Sequence, residues 1–460
     1  MTRHSAQLQD YAHRLEQLAR SLGLDFHPVD FELVPPHFMT EIAVYGLPVR
    51  MPHWSFGVRY LQQMVRQSMG HSRIFEVMFP GERCHAYLVS DNTLAENALV
   101  IAHVLGHADF AKNNFLFTRF LGMAGGHILT RAATHARRIE EALQTYGQER
   151  VEAVLDAALA LEAHIDVDKD LYRRRYAAPD GFTDHAGTWS APPPHSMGNG
   201  NAELSEQART QDKLPPLPPH PESDLPWFIA NYAPDLEEWE RDIFLAVREE
   251  SFYFYPVFAC QIMNEGWASY WHARLLREAD FLPDELYLTA LKAHSDVVSP
   301  FASESQVALD INPYHLGFAI WERIIEQQGI AAARRIMQEE DDSSFIRNYL
   351  DAELAEKLDL FIYDTEGGTG IRIVNRDIHA IREAILRPRY HYGVPRIAVR
   401  QMHQDGSLEL VHDFEADGSG LDLARAERVL EYIMRVWRRP VSLRTIGVNG
   451  SPKVLSTHHN

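Results

Sequence analysis

Cysteine is nearly missing from this chain: Cys84 and Cys260 are the only two in 460 residues, far apart and each in an apolar stretch. Their scarcity excludes a disulfide framework and every zinc motif built on paired thiols, and it predicts a protein of a reducing compartment, the cytoplasm. Long apolar runs are missing too. No stretch approaches the roughly twenty residues that a membrane-spanning helix needs, and the first residues lack the basic, apolar and small-residue sections of a secretory signal. Positive charge is scarce, with 44 Lys and Arg against 64 Asp and Glu and a formal net charge of −20 at pH 7. Nucleic-acid phosphates and anionic lipids are bound through clustered Lys and Arg, so this balance argues against partners of either kind. Neither a Walker loop nor a dinucleotide glycine fingerprint is present, and the stretch 122–127 lacks the Lys-Ser/Thr that holds phosphate and magnesium.

What remains is an ordinary globular composition, 45% hydrophobic and 23% charged, in a chain long enough for two or three domains. Residues 1 to about 22 read as an amphipathic helix with Tyr11, Leu15, Leu18 and Leu22 on one face. Apolar periodicity predicts helices over 91–114 and 132–164, then over 236–255, 257–278, 283–294, 313–328 and 331–337. Between the two groups, Pro192-Pro193-Pro194 and Leu214-Pro215-Pro216-Leu217-Pro218-Pro219 rule out helix or central strand, and predict a flexible linker or binding loop. Beyond about 371 a helix near 378–386, strands over 396–401 and 407–414 about an Asp405-Gly406 turn, a helix over 423–438 and a strand over 441–446 form a small α+β unit. The expected fold is therefore mainly α. A helical part spans 1–178, a Pro/Gly-rich linker 179–224, a second helical part completing the body 225–365, and an α+β domain 366–460.

Two motifs carry chemistry. In Ala102-His103-Val104-Leu105-Gly106-His107-Ala108-Asp109 the histidines are four apart, hence on one helix face, where two imidazoles can hold one metal ion. A capping-box pattern, Thr93-Leu94-Ala95-Glu96, marks the start of that helix. Spacing alone is weak, since roughly one such pair is expected by chance from this histidine content. The apolar setting and Gly106, which costs the helix ~1 kcal/mol relative to Ala, point to close approach of another element. Two satisfied core histidines are the plainer alternative. The second motif is Met263-Asn264-Glu265-Gly266-Trp267-Ala268-Ser269-Tyr270-Trp271-His272, on a helix able to start after Pro256. Glu265 and His272 share a face two turns apart. A carboxylate among such apolar residues needs a metal, a cation such as Arg241 or Arg248, or several hydrogen bonds.

Other motifs have simpler explanations. Asn312-Pro313 reads as an N-cap followed by proline at the first helical position. Lys112-Asn113-Asn114 reads as a helix end with Asn in the left-handed conformation. His53-Trp54 lines a pocket or closes a core, and His294 with Asp296 packs or supplies an acid.

Together with Met51-Pro52-His53-Trp54-Ser55-Phe56-Gly57, Asn92-Thr93 and Leu316-Gly317-Phe318, these motifs make the chain resemble the SpoVR (stage V sporulation protein R) family over most of its length. The resemblance implies a link to spore cortex formation or to stress physiology, and partnership with a serine protein kinase. Two positions depart from the family pattern: Phe110-Ala111 before Lys-Asn-Asn, and Pro256-Val257. A looser resemblance joins the two chemical motifs. Some gluzincin zinc peptidases pair a histidine helix containing Gly-His with a later Glu-Gly-Trp-Ala segment that gives the third ligand. That resemblance implies a metallopeptidase-like helical body with His103, His107 and Glu265 as zinc ligands, and Asp109 or His272 assisting catalysis. The base that follows the first His in H-E-x-x-H is Val104 here, so a simple peptide should be cleaved poorly. Two functions follow: a metal-dependent amide or peptide hydrolase, or a non-catalytic regulatory or scaffold protein working with the kinase.

Overall fold

The computed structural model describes residues 3–68, 76–123, 127–169, 217–297, 312–364, 372–447 and 449–457. Most of the linker expected over 179–224 lies outside these residues, as do parts of the stretches flanking several helices. Two compact units divide the chain: Met1–Glu152 with Ala246–Val394, and Ala153–Leu245 with Pro395–Asn460.

The first unit opens with α1 (Arg3–Ser21), β1 (Val29–Val34), α2 (Pro36–Tyr45), α3 (Trp54–Ser68), β2 (Glu76–Phe79) and β3 (Cys84–Val89). Leu8, Leu15 and Ala19 of α1 are buried. The three strands form a sheet in the order β1-β3-β2, with β1 parallel and β2 antiparallel to β3. None of this sheet was expected from periodicity, because strands of four to six residues carry too few alternations to stand out. Next come α4 (Leu94–Asn113), α5 (Phe115–Met123), α6 (Ile128–Tyr146) and α7 (Gln148–Ala160), within which the second unit begins at Ala153. The continuous helix expected over 132–164 is broken where Gly147 takes φ +85°, a conformation that costs glycine little and other residues much.

After α8 (Leu225–Tyr232) and α9 (Glu238–Ala259), the helices α10 (Gln261–Glu278), α11 (Asp284–Val297), α12 (Pro313–Gln328), α13 (Ile330–Glu339), α14 (Asp342–Tyr349) and α15 (Ala352–Lys357) follow. Pro256 does not end a helix as expected. It sits inside α9, and the break comes at Cys260. Asn312 caps α12 by accepting the Tyr314 N–H, with Pro313 at the first helical position, as the sequence predicts. Two short strands, β4 (Ile362–Asp364) and β5 (Arg372–Asn375), and helix α16 (Ile378–Leu386) finish this unit.

The core of the first unit is α4, buried at every position from Asn97 to Ala111, as befits a helix apolar all round. Helix α10 packs along it, and α12 packs on α10. Small residues set the spacing. A Cβ on Gly106 would lie 2.7 Å from the Ala268 Cα, and one on Gly266 would lie 2.2 Å from the Gly317 backbone, so the two crossings have no room for a methyl group. The close approach inferred from Gly106 is that of α10.

The small sheet domain expected near the C-terminus lies in the second unit, which also takes in Ala153–Leu245 and starts its C-terminal part at Pro395. It contains β6 (Ile397–Met402), β7 (Leu408–His412), α17 (Phe414–Asp417), α18 (Leu423–Trp437), β8 (Val441–Ile446) and β9 (Pro452–Ser456), its sheet ordered β6-β7-β8-β9. Leu430, Ile433 and Trp437 of α18 are buried along with Leu408, Leu410, Leu443 and Leu455 of the sheet. Residues from the earlier stretch belong to the same unit: Glu222 pairs with Val399 at the edge of β6, and the Phe228 ring stacks on Trp437.

Candidate metal centre

Helix α4 starts on a complete capping box. The Thr93 hydroxyl accepts the Glu96 N–H and the Glu96 carboxylate accepts the Thr93 N–H, so Glu96 is committed to the cap. One turn apart in the middle of this helix, His103 and His107 are both buried, their rings perpendicular with centroids 4.5 Å apart. Helix α10 lacks a side-chain cap of its own at Cys260. Asp342, from the start of α14, accepts the Ile262 and Met263 N–H groups at 2.8 and 2.9 Å instead. This satisfies the orphan donors of α10 from another helix and fixes the end that carries Asn264 and Glu265.

The structure brings His103, His107 and Glu265 together. Glu265 Oε2 lies 3.5 Å from His103 Nε2 and 3.4 Å from His107 Nε2. Good N–H···O bonds measure about 2.7–3.2 Å, whereas two donors each ~2.0–2.1 Å from one tetrahedral zinc ion are separated by roughly 3.3–3.4 Å. His103 Nε2 and Glu265 Oε2 are buried polar atoms with no hydrogen-bond partner, as atoms aimed at a common cation would be.

Both histidines are held from behind. His103 Nδ1 shares a 2.8 Å hydrogen bond with His272 Nδ1. His107 Nδ1 lies 2.9 Å from Asn264 Oδ1, an acceptor, so Nδ1 carries the proton and Nε2 presents its lone pair. The Tyr314 hydroxyl stands beside the Glu265 carboxylate, whose charge acts on it, and its ring stacks on His103 at 5.9 Å. Outer partners of this kind fix the tautomer and direction of metal ligands.

A fourth residue, Glu76, completes the cluster and was not expected from the sequence. Its Oε1 lies 3.8 Å from His103 Nε2, and one ligand atom from each of Glu76, His103 and His107 falls within 4.8 Å of the others. It is the first residue of β2, where no motif or spacing relates it to the histidines. Asn264 and Tyr314 lay inside recognised motifs, but no feature of those motifs distinguished their contacts.

Charge is concentrated here. Burial pushes the Glu76 carboxyl up against the pull of His103 and His107. Burial would also raise Glu265, but the nearby histidines outweigh it and hold that carboxyl well below the usual range. His107 is held above an ordinary imidazole: burial opposes its charge, and the Glu265 carboxylate and Asn264 overcome it. The Glu265 charge, reinforced by burial, drives the Tyr314 hydroxyl far up.

The remaining sequence candidates lie elsewhere or act differently. Asp109 faces away from the cluster, its carboxylate accepting the Asp25 N–H at 2.7 Å and the Trp267 indole N–H at 2.9 Å, with Arg334 at 3.6 Å. Arg241 bonds Asn231 and Arg248 sits over the Phe252 ring, so neither is the partner of Glu265. Asn114 is not left-handed at the end of α4: it is extended, with φ −70°, and its buried amide donates to the Met337 and Glu340 carbonyls. That tertiary anchor replaces the local turn. Lys112 pairs with Asp25, and His53 Nδ1 accepts the Ser55 N–H at the start of α3.

Comparison with known proteins places this chain in a family. The chain matches the family described as SpoVR like protein over residues 2–393, and it belongs to that family. It is also 26% identical over 485 aligned positions, covering 97% of this chain and 93% of the other, to the uncharacterized protein YcgB of Escherichia coli (strain K12). No solved structure matches it. The family match takes in His103, His107, Glu265 and Glu76 and ends next to the close of the first unit at Val394. Among the described residues, no helix is long and apolar enough to cross a membrane.

Proposed function

We propose that the chain binds a divalent transition-metal ion, zinc by its donor set, through His103, His107 and Glu265, and hydrolyses an amide or peptide bond there. The observation that carries this reading is the approach of one carboxylate oxygen to two imidazole Nε2 atoms at 3.4 and 3.5 Å, close to the edge of a tetrahedral site, with both imidazoles backed by an outer partner. Two nitrogens and one oxygen from protein leave a coordination position open, which is the pattern of catalytic zinc; four protein ligands would close it. When bound, such an ion polarises a carbonyl and acidifies water. This chain's residues hold the donors in place, and the partial exposure of Glu265 and Glu76 leaves the site open to solvent on one side. Metallopeptidase-like chemistry in a helical body is part of the same reading.

Metal analysis of the purified protein tests it directly. One equivalent of zinc or a related ion is expected in the parent, and its loss in His103→Ala and Glu265→Gln. Metal-dependent release of amine from a mixed peptide pool is expected only from the loaded parent protein. A metal-free parent that also fails to take up added zinc defeats the proposal.

One observation favours the second reading, a non-catalytic regulatory or scaffold protein that works with a serine protein kinase. Glu76 lies close enough to the histidines that it could serve as a fourth ligand, which would make the site structural.

A further inference from the structure

We infer that Glu76 is not a ligand but the carboxylate that takes and returns the proton during hydrolysis, filling the place that Val104 leaves empty. The inference rests on the metal reading above and assigns the residue that works that site. Three observations single it out. Its oxygen stands 3.8 Å from His103 Nε2, farther than the 3.4 and 3.5 Å that relate Glu265 to the two imidazoles. His103 and His107 each have an outer hydrogen-bond partner and the Tyr314 hydroxyl stands beside Glu265, yet among the described residues no hydrogen bond holds Glu76. It also comes from the end of the edge strand β2, not from the helices that supply the ligands.

The alternatives for this role are engaged elsewhere. Glu96 belongs to the helix cap, Asp109 is bound by Trp267 and the Asp25 N–H, and His272 is bonded to His103. A carboxylate beside the ligands that no hydrogen bond fixes can orient a water molecule. As that water's oxygen bonds to the amide carbonyl carbon, its proton passes to the Glu76 carboxylate. When the C–N bond breaks, the proton moves from Glu76 to the departing nitrogen, giving a carboxylic acid and an amine and restoring the carboxylate. No further reactant is consumed.

Cobalt(II) and acetohydroxamic acid test this without a known substrate. Cobalt binding is followed by visible absorption in the parent protein, Glu76→Gln, Glu76→Asp and Glu265→Gln. Acetohydroxamate, which occupies an open metal position and donates to a neighbouring carboxylate, is then added. Glu76→Gln is expected to bind one cobalt ion within about threefold of the parent affinity and acetohydroxamate at least ~10-fold more weakly, the loss of one charged hydrogen bond. Glu76→Asp should recover part of the hydroxamate affinity. Loss of cobalt from Glu76→Gln and Glu76→Asp to the extent seen in Glu265→Gln would make Glu76 a ligand and overturn the inference. So would a parent cobalt spectrum that acetohydroxamate does not change. If the parent itself takes up no cobalt, the metal reading fails, a result distinct from either of these.

Discussion

His103 and His272, from two different helices, meet Nδ1 to Nδ1 at 2.8 Å, so one ring must donate and the other accept. With His103 donating, its Nε2 lone pair points toward Glu265 and Glu76; with His272 donating, His103 would hold its only proton on Nε2 and could not bind a metal without losing it. On the metal reading proposed above, His272 is a positioning residue. His272→Ala is expected to lower zinc affinity by about 10–100-fold while leaving one site per chain, and His272→Asn, whose amide oxygen can accept, to recover part of it. Isothermal titration with zinc measures both. Unchanged affinity in His272→Ala would remove this role.

Metal should also appear in the melting curve. An ion that binds the folded chain and not the unfolded one stabilises by about 2.7 kcal/mol at a hundredfold excess over its dissociation constant. Added zinc is expected to raise the melting temperature of the parent protein by several degrees and that of His103→Ala by none. Chelation should reverse the rise. Equal shifts in both proteins would mean that zinc binds elsewhere.

Gly317 and Gly266 face each other where α12 crosses α10. A Cβ at position 317 would lie 2.1 Å from the Ile262 carbonyl oxygen, and backbone cannot give way as a side chain can. Gly317→Ala is expected to destabilise by about 1–3 kcal/mol or more, as overpacking does. It should also weaken zinc binding, because it pushes Tyr314 away from Glu265. Thermal unfolding and zinc titration on the one variant check the two effects together.

Asp342 gives a dependence on pH. Burial, partly offset by the Ile262 and Met263 N–H groups and by Arg389, pushes its carboxyl from 3.8 up to about 7. Between those values the folded chain keeps a proton that the unfolded chain releases. The stability this contributes is complete below about pH 4 and is lost as the pH rises through about 7. Asparagine has no such proton to lose. The melting temperature of Asp342→Asn minus that of the parent protein is therefore expected to climb from pH 4 to pH 8, whatever fixed offset the substitution adds. A flat difference would show that Asp342 ionises normally.

The sequence revealed the three residues that converge at the candidate centre but not their surroundings, for a physical reason. His103 and His107 are related by helical spacing, and Glu265 is conspicuous as a charge in an apolar, aromatic segment. Both signals are local. Glu76 reaches the histidines only because β2 pairs with β3, a tertiary event that leaves no periodic mark in a strand of four residues. Asn264 directly precedes Glu265, so a helix turns it by about 100°, and the sequence does not reveal that His107 waits there. The capping box at Thr93 and the cap at Asn312 were legible because their partners lie within three residues. The end of α4 was misread because Asn114 is anchored by carbonyls of Met337 and Glu340, which local chemistry does not anticipate.

The contacts between α4 and α10 work as a vernier. Going up α4 through His103, Gly106 and His107, the facing residues run down α10 through His272, Ala268 and Asn264. A slip of one turn, about 5.4 Å, would separate every pair at once, with no neighbouring register in which the glycine meets the alanine and each imidazole meets an acceptor. The two helices thus act as a single unit, although they come from distant stretches of chain. Grafting α4 alone from a relative should give a protein that cannot close its centre, whereas grafting α4 with α10 should restore it.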